Sequence, residues 1–550
     1  MKKPRKSPST PRLWAVATML LSVLPCLPAA VQDPTDGSLN KQDRLEWFRD
    51  QGFGLFIHWN VDCQLGSVIS HALVGASGDF CRRYFEELPG SFDPSKFRPG
   101  DWADLAKLAG VRYVVLTTKH HAGFCLWPTD TTDFNVARTP FRRDITREVF
   151  EAFRKRGIAA GVYFSPDDFH WLWEHGIPIQ RSIPSVQPSA NPGLLDLDRR
   201  QLRELMTEYG PVAMVFFDGE AKGLRELAWE LQPETVVTRG AIPTPEQNIP
   251  GLPLPGAWES CMTMGHGWGY QPTLEQYKSG ADCISLLVET RAKGGNLLLN
   301  VGPKPDGELP EEQQERLREI ALWMFVNHEC IHAVRPWIIT NEGNIWFTKK
   351  KDDGTLYAIV KHNGDWPDGA WKEFVLRSVR ATSSTEISIL GQNDEAMEYR
   401  PDVRPKASFQ QQKDGLHVRA MHTQRFRDDR KWPNPIVLKI THAEPAFNPP
   451  RIETGTIRLD PAIKGARCSG SSSAATPPIP VSFEYRDITG LDTHDRSLPW
   501  KALPAVMPAA GGEFEVAAPG LASGHTYEFR AVARHPLLAV YGKTVTLAVP

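Results

Sequence analysis

Between about residues 45 and 335, short β-branched or aromatic runs alternate with amphipathic stretches of helical period. The runs at 54–59, 113–120, 160–165, 213–218, 236–239 and 296–301 predict strands. Between them, 102–109, 143–156 and 199–209 predict helices, and Gly110, Gly157 and Gly210 stand where a helix end favours a left-handed residue. Strand followed by helix, repeated this often, implies a parallel sheet wrapped by helices. His58, His120, His121, Asp167, Asp168, Asp218, Arg239 and Glu259 each close or directly follow an apolar strand-like run. Polar residues gathered at strand ends suit a barrel, whose C-terminal strand ends converge on one mouth. A doubly wound sheet would commonly carry a glycine-rich phosphate turn, and no G-x-G-x-x-G follows the first run. The expected fold class is therefore α/β, a (β/α)8-like TIM barrel over 45–337 followed by C-terminal β-sandwich modules.

After Trp337 the pattern changes to short alternating stretches such as IWFTKK, LYAIVKH and FVLRSV, which predict a β-sandwich over 338–445. A proline-containing linker near 445–455 precedes a last module at 450–550, whose strand–turn–strand alternation resembles a fibronectin type III domain. At the other end, residues 1–30 read as a signal peptide: a basic start, an apolar run from 13 to 27, then Ala29 and Ala30. The run is shorter than a bilayer span and holds Pro25, and no other segment is apolar enough to cross a membrane. Cys26 could carry a lipid, but Pro25 stands where such signals want a small residue. A secreted or periplasmic location is expected. The other seven cysteines are scattered without a C-x-x-C pair, which argues against a disulfide framework and against a cysteine zinc site.

Charge narrows the partners. The 63 Lys+Arg against 65 Asp+Glu leave a formal charge of −2, so no global field draws the chain to nucleic acid or anionic lipid. The 17 tryptophans suit either sugar faces or ordinary packing. His120 and His121 adjoin at a strand end, where neighbouring residues point to opposite faces unless the strand bends. No H-x-x-x-H or H-E-x-x-H occurs, so hydrogen bonding to hydroxyls fits them better than metal ligation. Asp218 ends the run AMVFF, where it serves equally as a nucleophile at a barrel mouth or as a helix cap.

Several segments taken together resemble one family. GLFIHW (54–59), the K-H-H segment at 111–136, 143–166, AMVFFDG (213–219), WESCMTMGHGWGY (258–270) and KGGNLLLNVGPKPDG (293–307) look, in this order, like the retaining α-L-fucosidases of glycoside hydrolase family 29. The resemblance implies a secreted exo-glycosidase that releases α-L-fucosyl residues through a covalent glycosyl-enzyme. It implies Asp218 as nucleophile and Glu259 as acid/base, with Trp258 raising the Glu259 pKa, and Asp79, Glu86 or Glu87 as the next acids to consider. It further implies a pocket of His58, Trp59, His120, His121, Tyr163, Phe216, Arg239 and Trp258, holding no metal and needing no cofactor. The expected partner is a fucosylated oligosaccharide or polysaccharide, and the oligomeric state is not set by the sequence. Departures cluster near the sugar: Asn60 after His58-Trp59, Ala122 after His120-His121, Phe216 in place of tryptophan, and no Glu-Trp-Tyr element between the first two strands. These leave open a related glycone such as α-L-galactose, or a non-catalytic glycan binder.

Overall fold

The computed structural model describes residues 37–273, 275–361, 364–473, 479–490 and 498–550. The signal-peptide reading of 1–30, with Cys26, falls outside these residues. The N-terminal half is built on seven parallel strands: β1 (Phe53–Ile57), β2 (Tyr113–Lys119), β3 (Ala159–Phe164), β4 (Met214–Phe217), β5 (Val236–Val237), β6 (Glu259–Thr263) and β7 (Asn296–Val301). They lie in the order β5-β4-β3-β2-β1-β7-β6. Each backbone is buried on both faces, as crossover helices on a parallel sheet require.

The period of two sorts the side chains into two cores. Leu55, Ile57, Val114, Leu116, Val162, Val215 and Leu299 face outward into the layer formed by helices such as Pro99–Leu108 and Ile145–Lys155. Phe56, Tyr113, Val115, Tyr163, Met214, Phe216, Val236, Cys261 and Leu298 meet one another on the other face. Seven strands can share one small inner core only if the sheet curls strongly. The three glycines expected at helix ends adopt φ of 79° (Gly110), 71° (Gly157) and 71° (Gly210).

The sheet is a curled, open one rather than the expected closed ring of eight strands. Its edges, β5 and β6, are not paired with each other. The chain between them runs beside β6 through residues 243–247, where the Glu259 and Cys261 N–H groups donate to Pro243 and Pro245 and the Gln247 N–H donates to Cys261. Pro243 and Pro245 have no N–H to return, so this segment makes only a single bridge, Glu246 to Cys261, instead of a ladder.

The remaining strands are antiparallel. From Val334 to Pro445 they form a five-stranded and a three-stranded sheet, and from Ile452 onward two further sheets close over a separate core of Cys468, Phe483, Phe514 and Phe529. Among the described residues no helix is long and apolar enough to cross a membrane.

Candidate active site

Alternation along the strands decides what reaches the C-terminal mouth of the sheet. On β1, Phe56 faces inward and Ile57 outward, so the chain continues with His58 inward and Trp59 outward. Trp59 is therefore not in the pocket as expected. It is buried beneath the sheet, with ring centroids 5.4 Å from Phe97 and 5.5 Å from Trp102. On β4 the same rule lines up Met214, Phe216 and Asp218. Phe216 and Asp218 both line a cavity of about 380 Å³, counted with its opening to solvent, together with His58, His120, Tyr163 and Arg239.

The two adjacent histidines both reach this region because β2 breaks register between Thr117 and Lys119, bending the strand as it ends. Lys119 turns into the protein, 2.8 Å from Asp198 Oδ1, 2.8 Å from Gln201 Oε1 and 3.4 Å from Asp168 Oδ2. His120 stacks parallel to Tyr163 at 5.4 Å. His121 joins Ser165 through Nδ1 at 2.6 Å and places Nε2 3.4 Å from Asp218.

Asp218 is the most densely gripped group of the site. The Tyr163 hydroxyl donates to Oδ2 at 2.8 Å, Arg239 Nη1 donates to Oδ1 at 3.1 Å, and Arg181 Nη2 stands 3.7 Å from Oδ1. Burial raises its carboxyl, but the hydrogen bond and charge of His121, with Arg239 and Arg181, outweigh burial and hold it well below the usual carboxylate range. Three further imidazoles of the site, His58, His71 and His120, are held neutral by burial. Burial pushes His58 down to about 3 and His71 to about 4, and burial with the neighbouring His121 and His58 holds His120 well below the usual imidazole range.

Arg239 organises the second carboxylate. It lies over the Phe216 ring at 4.5 Å, gives Nη1 to Asp218, and gives Nη2 to Glu246 Oε2 at 2.9 Å. One guanidinium thus holds two carboxylates side by side, and Glu246, 44% exposed, stands on the open side of the cavity.

Glu259 and Trp258 lie elsewhere, which corrects their expected place. Glu259 opens β6 rather than closing a strand, pairing with Asn296 at the start of β7, so it sits at the end of the sheet opposite the mouth. It is fully buried, accepts a hydrogen bond from the Tyr113 hydroxyl at Oε2, and leaves Oε1 without a partner. Burial pushes it up to about 7. Trp258 is buried one residue before it and lines no part of the cavity. Asp79, Glu86 and Glu87 are exposed and engaged with Arg82 and Arg83.

Six lining residues escaped the sequence reading as pocket members: His71, Arg181, Glu246, Trp268, Phe56 and Cys261. The first three are isolated polar residues outside the strand–helix pattern, His71 at the start of a single 3-10 turn. Trp268 was visible within its motif and is seated 4.8 Å from the His58 ring. His120, His121 and Asp218 also bring ligand atoms within 4.8 Å of one another. Two arginines and a tyrosine already occupy the Asp218 oxygens, so a cation there would displace or repel them.

Comparison with known proteins gives the family. The family model described as alpha-L-fucosidase matches residues 26–329. The chain is 30% identical over 410 residues to the plasma alpha-L-fucosidase of Rattus norvegicus, covering 65% of this chain and 85% of that protein. It is 30% identical over 424 residues to the alpha-L-fucosidase of Branchiostoma floridae, covering 68% and 90%. Among solved structures it resembles alpha-L-fucosidase isoenzyme 1 from Paenibacillus thiaminolyticus, with a TM-score of 0.59, 27% identity, and coverage of 72% of this chain and 98% of that one. It also resembles the Thermotoga maritima alpha-fucosidase in complex with fucose, with a TM-score of 0.56, 26% identity, and coverage of 72% and 96%. With a family match over more than half its length and a pocket built around one ionised aspartate, this chain belongs to the α-L-fucosidase family.

Proposed function

We propose that this protein is a retaining α-L-fucosidase, with Asp218 as nucleophile and Glu246 as acid/base. The observation that carries the reading is the pair of carboxylates on opposite nitrogens of Arg239, one deep in the pocket and ionised, the other at its open side. Retaining hydrolysis needs two carboxyl groups about 5–5.5 Å apart, and a shared guanidinium supports reading these two as that pair. In the first step Asp218 attacks the anomeric carbon while Glu246 gives its proton to the departing oxygen. In the second, Glu246 takes a proton from water, which attacks the same carbon and frees Asp218. Tyr163 and His121 hold Oδ2 of Asp218, leaving attack geometry set before the sugar arrives.

His58, His120, His121, Tyr163, Phe216 and Arg239 form the glycone pocket in this reading, joined by His71, Arg181 and Trp268. Phe56, Phe216 and Trp268 supply an apolar wall for a C5 methyl group. The substrate is a fucosylated glycan met outside the cytoplasm after removal of residues 1–30. Residues 243–247, lying along β6, support reading the curled sheet as a (β/α)8-like barrel whose eighth position is filled by a proline-rich segment. The antiparallel sheets that start at Val334 and Ile452 support modules at 338–445 and 450–550, outside the pocket.

The test is hydrolysis of an aryl α-L-fucoside followed by NMR. The first-formed product should be α-L-fucose, and Asp218→Gly should be inactive until azide restores turnover with inversion. An Asp218→Gly enzyme that hydrolyses the substrate at the wild-type rate without azide removes the aspartate from the role.

A further inference from the structure

Two pocket imidazoles, His58 and His120, are each tied at Nδ1 to a partner of determinable polarity, and the two polarities are opposite. The chain behind His120 starts at Asp62, buried on the segment after β1. Its Oδ2 accepts the Tyr84 hydroxyl at 2.9 Å and the Ser70 N–H at 2.6 Å. A phenol has one proton, so with that proton given to Asp62 the Tyr84 oxygen can only accept, and Asn60 Nδ2 stands 3.2 Å from it. This orients the Asn60 amide, whose NH2 also reaches Ser70 Oγ at 3.4 Å. The Ala122 N–H reaches the same Oγ at 3.0 Å. Both acceptor positions of Ser70 are then filled, and its single proton goes to the partner left over, His120 Nδ1 at 2.8 Å. His120, kept neutral by burial, therefore carries its own proton on Nε2.

His58 is set the other way. Asn300 gives its NH2 to the Trp268 carbonyl at 2.6 Å, which leaves Oδ1 facing His58 Nδ1 at 2.6 Å. The His58 proton is on Nδ1, and its Nε2 offers a lone pair. The two rings are 5.7 Å apart, centre to centre, and both line the cavity.

We infer that Ser70 is a positioning residue that makes His120 a hydrogen-bond donor beside His58 as an acceptor, so that the pocket reads the direction of hydrogen bonds on a neutral glycone. Its backbone gives independent support. Ser70 sits at φ 58°, where glycine would be less strained, and is fully buried. The hydroxyl at that position keeps three partners in register, Asn60, Ala122 and His120, which a glycine would not. Asn60 and Ala122, two of the departures noted in the sequence, both give N–H groups to this serine. The inference rests on the fucosidase reading only for the identity of the glycone.

The experiment uses the full-length protein labelled with 15N-histidine, with imidazole protonation read from long-range 1H–15N spectra and L-fucose binding read by titration calorimetry. Wild type should show His120 protonated at Nε2 alone and His58 at Nδ1 alone. Ser70→Gly, which relieves the positive φ, should lose the defined His120 state and bind L-fucose about 5- to 100-fold more weakly. Tyr84→Phe, outside the cavity, should shift both readings in the same direction by less. A wild-type His120 protonated at Nδ1, or unchanged affinity in Ser70→Gly, overturns the assignment. Wild-type protein with the stated tautomers but no affinity for L-fucose supports the role of Ser70 and removes the fucoside reading instead.

Discussion

Replacing Glu246 and Glu259 by glutamine, one at a time, separates two carboxyls whose surroundings differ. Glu246→Gln keeps the side-chain size and a hydrogen-bonding group beside Arg239 but removes the transferable proton. A positioned general acid contributes about 10²- to 10⁴-fold, or about 3–5 kcal/mol of transition-state stabilisation. That loss should fall on fucosyl oligosaccharides, whose leaving oxygen needs the proton. An activated aryl fucoside should lose less than about tenfold in its first step. Glu259→Gln should leave kcat/KM within a few-fold on both substrates, because its carboxyl is buried against Tyr113 at the far end of the sheet. Its effect is on stability. Burial raises it from 4.5 to about 7, equivalent to about 3 kcal/mol. The folded protein thus keeps a proton that the unfolded chain releases, and this group makes stability fall as pH rises from about 4.5 to about 7. In Glu259→Gln that part of the pH dependence should vanish, leaving the variant more stable than wild type at neutral pH. The assay is kcat/KM on the two substrates, with thermal unfolding across the same pH range. Leaving-group selectivity in Glu259→Gln, with none in Glu246→Gln, would refute the assignment.

Three further outcomes follow from the same geometry. Tyr163→Phe removes a 2.8 Å bond to a carboxylate and should lower kcat/KM about 10- to 100-fold without unfolding, since the ring keeps its stack on Phe216. Lys119→Met leaves Asp198 buried and uncompensated, and should cost about 3–5 kcal/mol in chemical denaturation, with recovery when Asp198→Leu is added. Chelators should leave activity unchanged, because the Asp218 oxygens already take Tyr163 and Arg239; inhibition reversed by one added metal would assign His120, His121 and Asp218 to a metal instead.

The parallel sheet was legible because apolar runs and helical periods repeat in order; His58, His120, Asp218 and Arg239 stood out because they close such runs, and Tyr163 and Phe216, inside theirs, through the family resemblance, and all six line the cavity. The failures have physical causes. Strand β6 reads E-S-C-M-T, too polar to announce a strand, so Glu259 was taken to follow a run when it begins one. Trp59 was assigned to the pocket with His58, although the period of two puts neighbours on opposite faces. Pro243 and Pro245 hide the segment along β6 that carries Glu246. Arg181 and His71 reach the site only because the connections after β3 and β1 fold over it, and such positions have no periodic signature.

The central claim is tested most directly by incubating the enzyme with a 2-deoxy-2-fluoro-α-L-fucosyl donor bearing an activated leaving group, then mapping the adduct by peptide mass spectrometry. The fluorine slows both steps, and the good leaving group restores the first, so the glycosyl-enzyme accumulates. The account predicts one fluorofucosyl group per chain, on the peptide containing Asp218, and none on the Asp218→Gly variant. An adduct on another carboxylate, or no adduct from an enzyme whose first-formed product from α-L-fucosides is β-L-fucose, would contradict it.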